Sequence, residues 1–84
     1  MFYTYILQSE KDRKFYTGST NNLERRIEEH NTGKVFSTRK RMPLTLIYYE
    51  ACKNEVDARK REKYLKTSWG KRYIKNRLKF YLTG

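Results

Sequence analysis

Cysteine, proline, histidine and tryptophan each occur once in this chain of 84 residues, and only nine acidic side chains stand against twenty Lys and Arg. Each shortage removes a class of protein. Cys52 has no second thiol with which to close an internal disulfide, and no Cys/His spacing for a structural zinc exists. A reducing compartment suits it, either as a small, partly buried side chain or as a reactive thiol. No stretch approaches the ~18 uninterrupted apolar residues of a membrane span. Met1-Phe2-Tyr3 has neither the charged start nor the apolar run of a signal peptide. A cytoplasmic protein without membrane association is expected. The length sets a further bound: one domain over residues 1–84, near the lower size at which a single apolar core suffices without staples.

What is present is positive charge and aromatic surface. The formal net charge is +11, and eight Tyr and four Phe accompany it, more than a basic disordered tail carries. A folded domain this basic calls for a polyanionic partner. Nucleic acid is the commonest, because every phosphate neutralised by Lys or Arg releases counterions and adds affinity without sequence preference.

Periodicity divides the chain into six elements. Phe2–Leu7 is aromatic and β-branched, hence a strand, and the polar run 8–14 is its turn. Phe15–Ser19 follows as a short antiparallel strand, in which Gly18 permits a close approach of another group. Asn21 is placed to cap a helix running to about Asn31, stopped by Gly33. Thr32–Pro43 forms a basic loop whose Lys34, Arg39, Lys40 and Arg41 surround Ser37 and Thr38, a composition that suits phosphate contact or a merely solvated loop. Leu44–Ala51 is nearly continuous in apolar character, which predicts a central strand or its neighbour, buried on both faces. Asn54 opens a helix to about Lys66, and Ser68 caps a last helix from Trp69 to Leu82.

Helical geometry, about 100° per residue, then separates inward from outward charges. In the first helix Leu23 and Ile27 define the buried stripe, with His30 almost between them and Arg26 beside; Glu24, Arg25, Glu28 and Glu29 project away. In the second helix Ala58, Leu65 and the following Trp69 share a stripe on which Glu62 also lies. An inward carboxylate needs a partner or a cation, since burying it alone costs several kcal/mol or forces protonation. The simplest structural account is an ion pair between Glu62 and Arg26. Tyr5 and Tyr16 on adjacent strands have an equally plain account as packing residues, and His30 as a favourable charge at a helix C-terminus. Together, however, two phenols, a guanidinium, an imidazole and a carboxylate form a set able to hold and cut a phosphodiester.

The succession Tyr3-Thr4-Tyr5, Tyr16-Thr17-Gly18, Arg26 and His30 in one helix, then Glu62 within Arg61-Glu62-Lys63-Tyr64-Leu65-Lys66, resembles the GIY-YIG endonuclease domain, and in particular its small stand-alone bacterial members. Tyr3 and Gly18 stand at motif positions. The resemblance spans nearly the whole chain. It implies an α+β fold in which a small, mainly antiparallel three-stranded sheet is flanked by three helices in the order ββαβαα. It also implies divalent-metal-dependent cleavage of DNA. Carried over, Glu62 holds a single Mg²⁺ or Mn²⁺, Arg26 binds the scissile phosphate, and Tyr5, Tyr16 and His30 handle water and protons, with Tyr5 favoured as base. Asn76 is the nearest match to an asparagine that the family often uses late in the domain.

Elementary chemistry supports these roles. Phosphodiester hydrolysis needs neutralisation of a pentacoordinate transition state together with an acid and a base, and Arg offers a fork of donors matched to phosphate oxygens. One inward carboxylate argues for one metal with water in most of its coordination sphere. Larger family members carry separate DNA-binding domains that choose the site. Their absence here predicts low sequence specificity, recognition of DNA structure, or guidance by a partner protein. The alternatives are a non-catalytic basic nucleic-acid-binding module and a structural or protein-binding role.

Overall fold

The computed structural model describes all residues, Met1–Gly84. Strands β1 (Phe2–Ser9) and β2 (Phe15–Thr20) form the expected hairpin and lead into α1 (Leu23–Asn31). Strand β3 (Leu44–Cys52) and helices α2 (Glu55–Leu65), α3 (Ser68–Arg77) and α4 (Lys79–Thr83) complete the chain. The sheet order is β2-β1-β3, antiparallel throughout. No helix is long and apolar enough to cross a membrane.

Alternation along β1 builds two cores, one on each face of the sheet. Tyr5 and Leu7 join Leu44 on the α1 side, with Leu23 and Ile27 packed against them. Ile6 joins Leu65 and Ile74 on the α2/α3 side, with Phe15, Tyr48 and Leu78 around it. The Thr4 hydroxyl donates to the Ala58 carbonyl at 2.8 Å, a buried bond that seats α2 on the central strand.

Four details depart from the sequence reading. Strand β3 is the neighbour of the central strand but lies at the sheet edge, and only Leu44 of it is buried. Its unbroken apolar run has another cause: the register slips between Ile6 and Leu7, which face Tyr48 and Leu46, so Ile47 is an extra residue. That bulge lets Ile47 and Tyr48 both pack on the α2/α3 core. The α1 cap is Asn22, whose side chain accepts from Arg25 N–H, and the α3 cap is Thr67. Trp69 turns out to solvent with 67% of its surface exposed, away from the stripe assigned to it.

The long C-terminal helix is the fourth departure, broken into α3 and α4 at Leu78. Leu78 is the last side chain of the segment that reaches the core, and beyond it Phe80 and Tyr81 are exposed. With Leu82 alone half-buried among them, five further residues gain little from continuing the same axis. At the other end of α3, Gly70 is buried where the helix crosses the end of α2. A Cβ there would collide with the Tyr64 carbonyl and the Leu65 backbone.

Gly70→Ala is therefore expected to lower stability by about 2 kcal/mol or more through enforced separation of α2 and α3. Lys71→Ala, exposed on the next position, should stay within about 0.5 kcal/mol of wild type. Urea midpoints of the two variants compare them directly.

Candidate active site

The site begins with the pairing of Tyr5 and Gly18 across β1 and β2. Residues paired in this way point to the same face, and the phenol of Tyr5 lies across the glycine. A Cβ on Gly18 would meet the Tyr5 hydroxyl at 2.5 Å and its ring at 2.7 Å, so no other residue leaves the phenol this path. The Tyr5 hydroxyl ends 2.9 Å from His30 Nε2. On the far side of the ring, His30 Nδ1 is 2.7 Å from Thr38 Oγ1. All three side chains are buried, His30 and Thr38 completely.

Burial shapes the acidity of this chain of groups. Desolvation pushes the Tyr5 phenol up to about 12, against the pull of Arg26 beside it. Desolvation and then the Arg26 charge bring His30 down to about 4, with Glu29 offsetting part of the effect. At neutral pH His30 is thus neutral and holds one proton on one nitrogen, and both flanking hydroxyls are able to serve the other nitrogen as donor or acceptor.

Tyr16 and Arg26 carry the site outward. The Tyr16 ring stands edge-on to His30 at 4.8 Å and tilted to Tyr5 at 6.4 Å, half-buried. Arg26 keeps a third of its side chain exposed and is steadied by Glu29 at 3.1 Å, one turn along the helix. Glu29 was expected to project away; the i,i+3 spacing instead lets it fold back onto Arg26.

Glu62 approaches from the other face of the sheet. Ser19 points opposite to Gly18 on β2, and its hydroxyl donates to Glu62 Oε1 at 2.7 Å. The second oxygen meets Lys66 Nζ at 2.8 Å. The ion pair expected between Glu62 and Arg26 is absent: Arg26 is partnered by Glu29 within α1 and Glu62 by Lys66 at the C-cap of α2, because the sheet separates α1 from α2. β2 is an edge strand, so the phenols and guanidinium on one side and the carboxylate on the other flank an open rim. Glu62 is near enough for its charge to act on the Tyr5 phenol. There is no group of three or more His, Cys, Asp or Glu side chains.

The remaining candidates sort by exposure. Lys34, Arg39 and Lys40 point to solvent from a loop anchored by buried Val35 and Thr38, and Arg39 stacks on the exposed Phe36 ring at 4.7 Å. Arg41 differs from these. Its guanidinium donates to the Phe15 carbonyl at 3.2 Å and faces Asp12 at 3.4 Å, tying the loop to the hairpin. Tyr3 packs edge-on against Tyr49 at 6.0 Å, and Asn76 is exposed on α3. Cys52 is half-buried, its thiol donating to the Asn54 carbonyl. Thr38, Ser19 and Glu29 escaped sequence reasoning as partners of the site. None carries a local signal, since hydroxyls are common and their partners lie on other elements or against expectation on the same helix.

Residues 1–76 match the model of the GIY-YIG catalytic domain. The chain belongs to that family, a family of nucleases. Among its relatives, a UPF0213 protein of Clostridium perfringens is 49% identical over 67 residues, covering 79% of this chain and 71% of that one. A UPF0213 protein of Pediococcus acidilactici is 40% identical over 81 residues, or 89% and 82% of the two chains. The UPF0213 protein of Bacillus halodurans, solved by NMR in solution, matches with a TM-score of 0.54 at 33% identity, covering 88% of this chain and 82% of that one.

A histidine buried neutral makes stability depend on pH. The folded pKa, about 4, lies below the unfolded value near 6.5, so the unfolded state binds the proton first as pH falls. Stability contributed by the neutral ring is complete above about 6.5 and is lost progressively down to about 4, by up to about 3 kcal/mol. His30→Gln should be less stable at pH 7 yet show a flatter decline between pH 6.5 and 5, read from denaturant midpoints at each pH.

Proposed function

We propose that this chain is a divalent-metal-dependent endonuclease that hydrolyses DNA phosphodiester bonds with little intrinsic sequence preference. The observation that supports it above all is the buried line Tyr5–His30–Thr38 ending beside a partly exposed guanidinium. Packing alone has no need of an imidazole wired between two hydroxyls and set against a positive charge.

Arg26 receives the scissile phosphate through its fork of donors, held in orientation by Glu29. A water attacks phosphorus opposite the leaving oxygen. Its proton passes to the Tyr5 oxygen as the phenol proton moves to His30 Nε2, while Nδ1–H donates to Thr38. With a phenol pKa of about 12, Tyr5 works as a relay and not as a standing phenolate. The phosphate offsets the Arg26 charge that depresses His30, so substrate binding itself raises the proton affinity of the acceptor. The P–O bond to the leaving group breaks, and that oxygen takes a proton from solvent. Tyr16 closes the solvent side of this path.

Glu62 suits one Mg²⁺ or Mn²⁺. Such ions accept a single protein carboxylate when water and substrate phosphate complete the shell, and the lysine now on Glu62 is more than half exposed and free to swing aside. When bound, the ion supplies positive charge to the crowded phosphorus centre. Lys34, Arg39 and Lys40 extend the positive surface along the flanking backbone, leaving choice of site to DNA structure or a targeting partner.

Cleavage of duplex, single-stranded, flapped and branched DNA and of RNA, with Mg²⁺, Mn²⁺ or EDTA, tests the reading. Glu62→Gln, Arg26→Ala and Tyr5→Phe should each lose about 100-fold or more in rate, with binding in EDTA little changed by Glu62→Gln. Tight binding without cutting in either metal would instead make the chain a basic binding module.

A further inference from the structure

On the α2/α3 side of β2 lies a groove of about 540 Å³ that the site above does not use. Its floor is apolar, made by Ile6, Phe15, Leu65 and Ile74. Every charge on its rim is basic: Arg13 and Lys14 from the hairpin turn, Lys71 and Lys75 from α3, and Lys66 at one end, without an acidic residue among the lining. Lys66 is paired with Glu62; the other four have no carboxylate partner. Residues 63–84 contain no Asp or Glu at all, so nothing nearby on α3 neutralises them.

We infer that this groove is a subsite for single-stranded DNA adjoining the cleavage point, with the rim holding phosphates and the floor taking an unstacked base. Four unpaired cations fit a backbone carrying one charge per nucleotide. The apolar floor discriminates further. A duplex keeps its bases stacked inside and offers a surface only phosphates to touch, whereas an unpaired base has a face that gains from leaving water. The volume falls within the ~300–1,000 Å³ range of ligand pockets, enough for one or two nucleotides. Continuity supplies the direction. Lys66 lines the groove while touching Glu62, and Tyr16 borders it on the edge strand β2 with its ring on the far face beside His30, so a strand seated there reaches the rim of the active site at that edge.

The role as a subsite rests on the endonuclease reading, but occupancy is measurable without cutting. In EDTA, ¹⁵N-labelled protein is titrated with dT4, an abasic tetramer of equal charge, dTMP, a blunt 12-base-pair duplex and a tetra-aspartate peptide. The expected result is that dT4 shifts the amides of Lys14, Phe15, Thr17 and Lys71. The abasic strand, dTMP and the peptide should bind at least about tenfold more weakly, and the duplex should leave the groove amides unmoved. Lys71→Gln/Lys75→Gln, both exposed and unpaired, should fold normally, weaken dT4 about tenfold or more and lower the slope of log affinity against log salt by about 1.4. Shifts confined to the Lys34–Arg41 loop, or equal affinity for the peptide, the abasic strand or dTMP, would overturn the inference. Groove binding in a protein that never cuts would sink the endonuclease reading and leave the groove standing. Cutting with no groove occupancy would do the reverse.

Discussion

Tyr5 lies flat against β2 only because Gly18 has no side chain, and the arrangement of the site depends on that contact. The phenol is thereby delivered under α1 to His30, and His30 in turn reaches Thr38, which fixes the basic loop. One missing methyl group thus couples the hairpin, the helix and the loop. Because all three polar groups are buried, each must keep its partner, and a buried donor or acceptor left alone costs about 1–3 kcal/mol. The same enclosure that makes the line rigid also sets its chemistry, lifting the phenol and lowering the imidazole until protons prefer to stay where they are.

Scarcity of acid organises the rest of the molecule. Five carboxylates form ion pairs, and each pair does a specific job: Glu29 aims Arg26, Asp12 faces Arg41, Glu55 joins Arg59 along α2, Glu62 sits at the rim, and Glu50 grips Arg61 through two parallel bonds. The Arg61 guanidinium also lies over the rings of Tyr64 and Tyr73, so β3, α2 and α3 meet at one cation. The bond to Glu50 raises its already high pKa, and that of Tyr48 goes up too, by burial first. Few carboxylates remain for the surface, which leaves α3 and the loop predominantly positive.

Much of the fold was legible because its signals are local. Aromatic and β-branched runs marked three strands, the 3.6-residue stripe of Leu23 and Ile27 marked the buried side of α1, and Asn54 marked a cap. Misreadings came where a neighbour decides. The strand order puts an apolar run at the sheet edge with one buried residue, its unbroken character coming from the bulge opposite Ile6, and the end of the core at Leu78 cut a helix that periodicity would have continued. In the site, His30 was legible from its place on the stripe. Its second partner, Thr38, lies in a loop whose path no periodicity describes.

From sequence alone come the positive charge, the six main segments, and the residue types set at intervals that bring Tyr5, Tyr16, Arg26 and His30 to one side of the sheet. Local propensity and side-chain direction are short-range properties, and short-range information is what a linear sequence displays. Tertiary structure alone decided that Glu62 approaches across the edge of β2 and not through Arg26. It also decided that Arg41 faces inward while Arg39 faces out, and that four lysines and arginines from two distant segments rim one apolar groove. Those outcomes depend on which surfaces meet after folding, and the meeting is settled by packing over the whole chain.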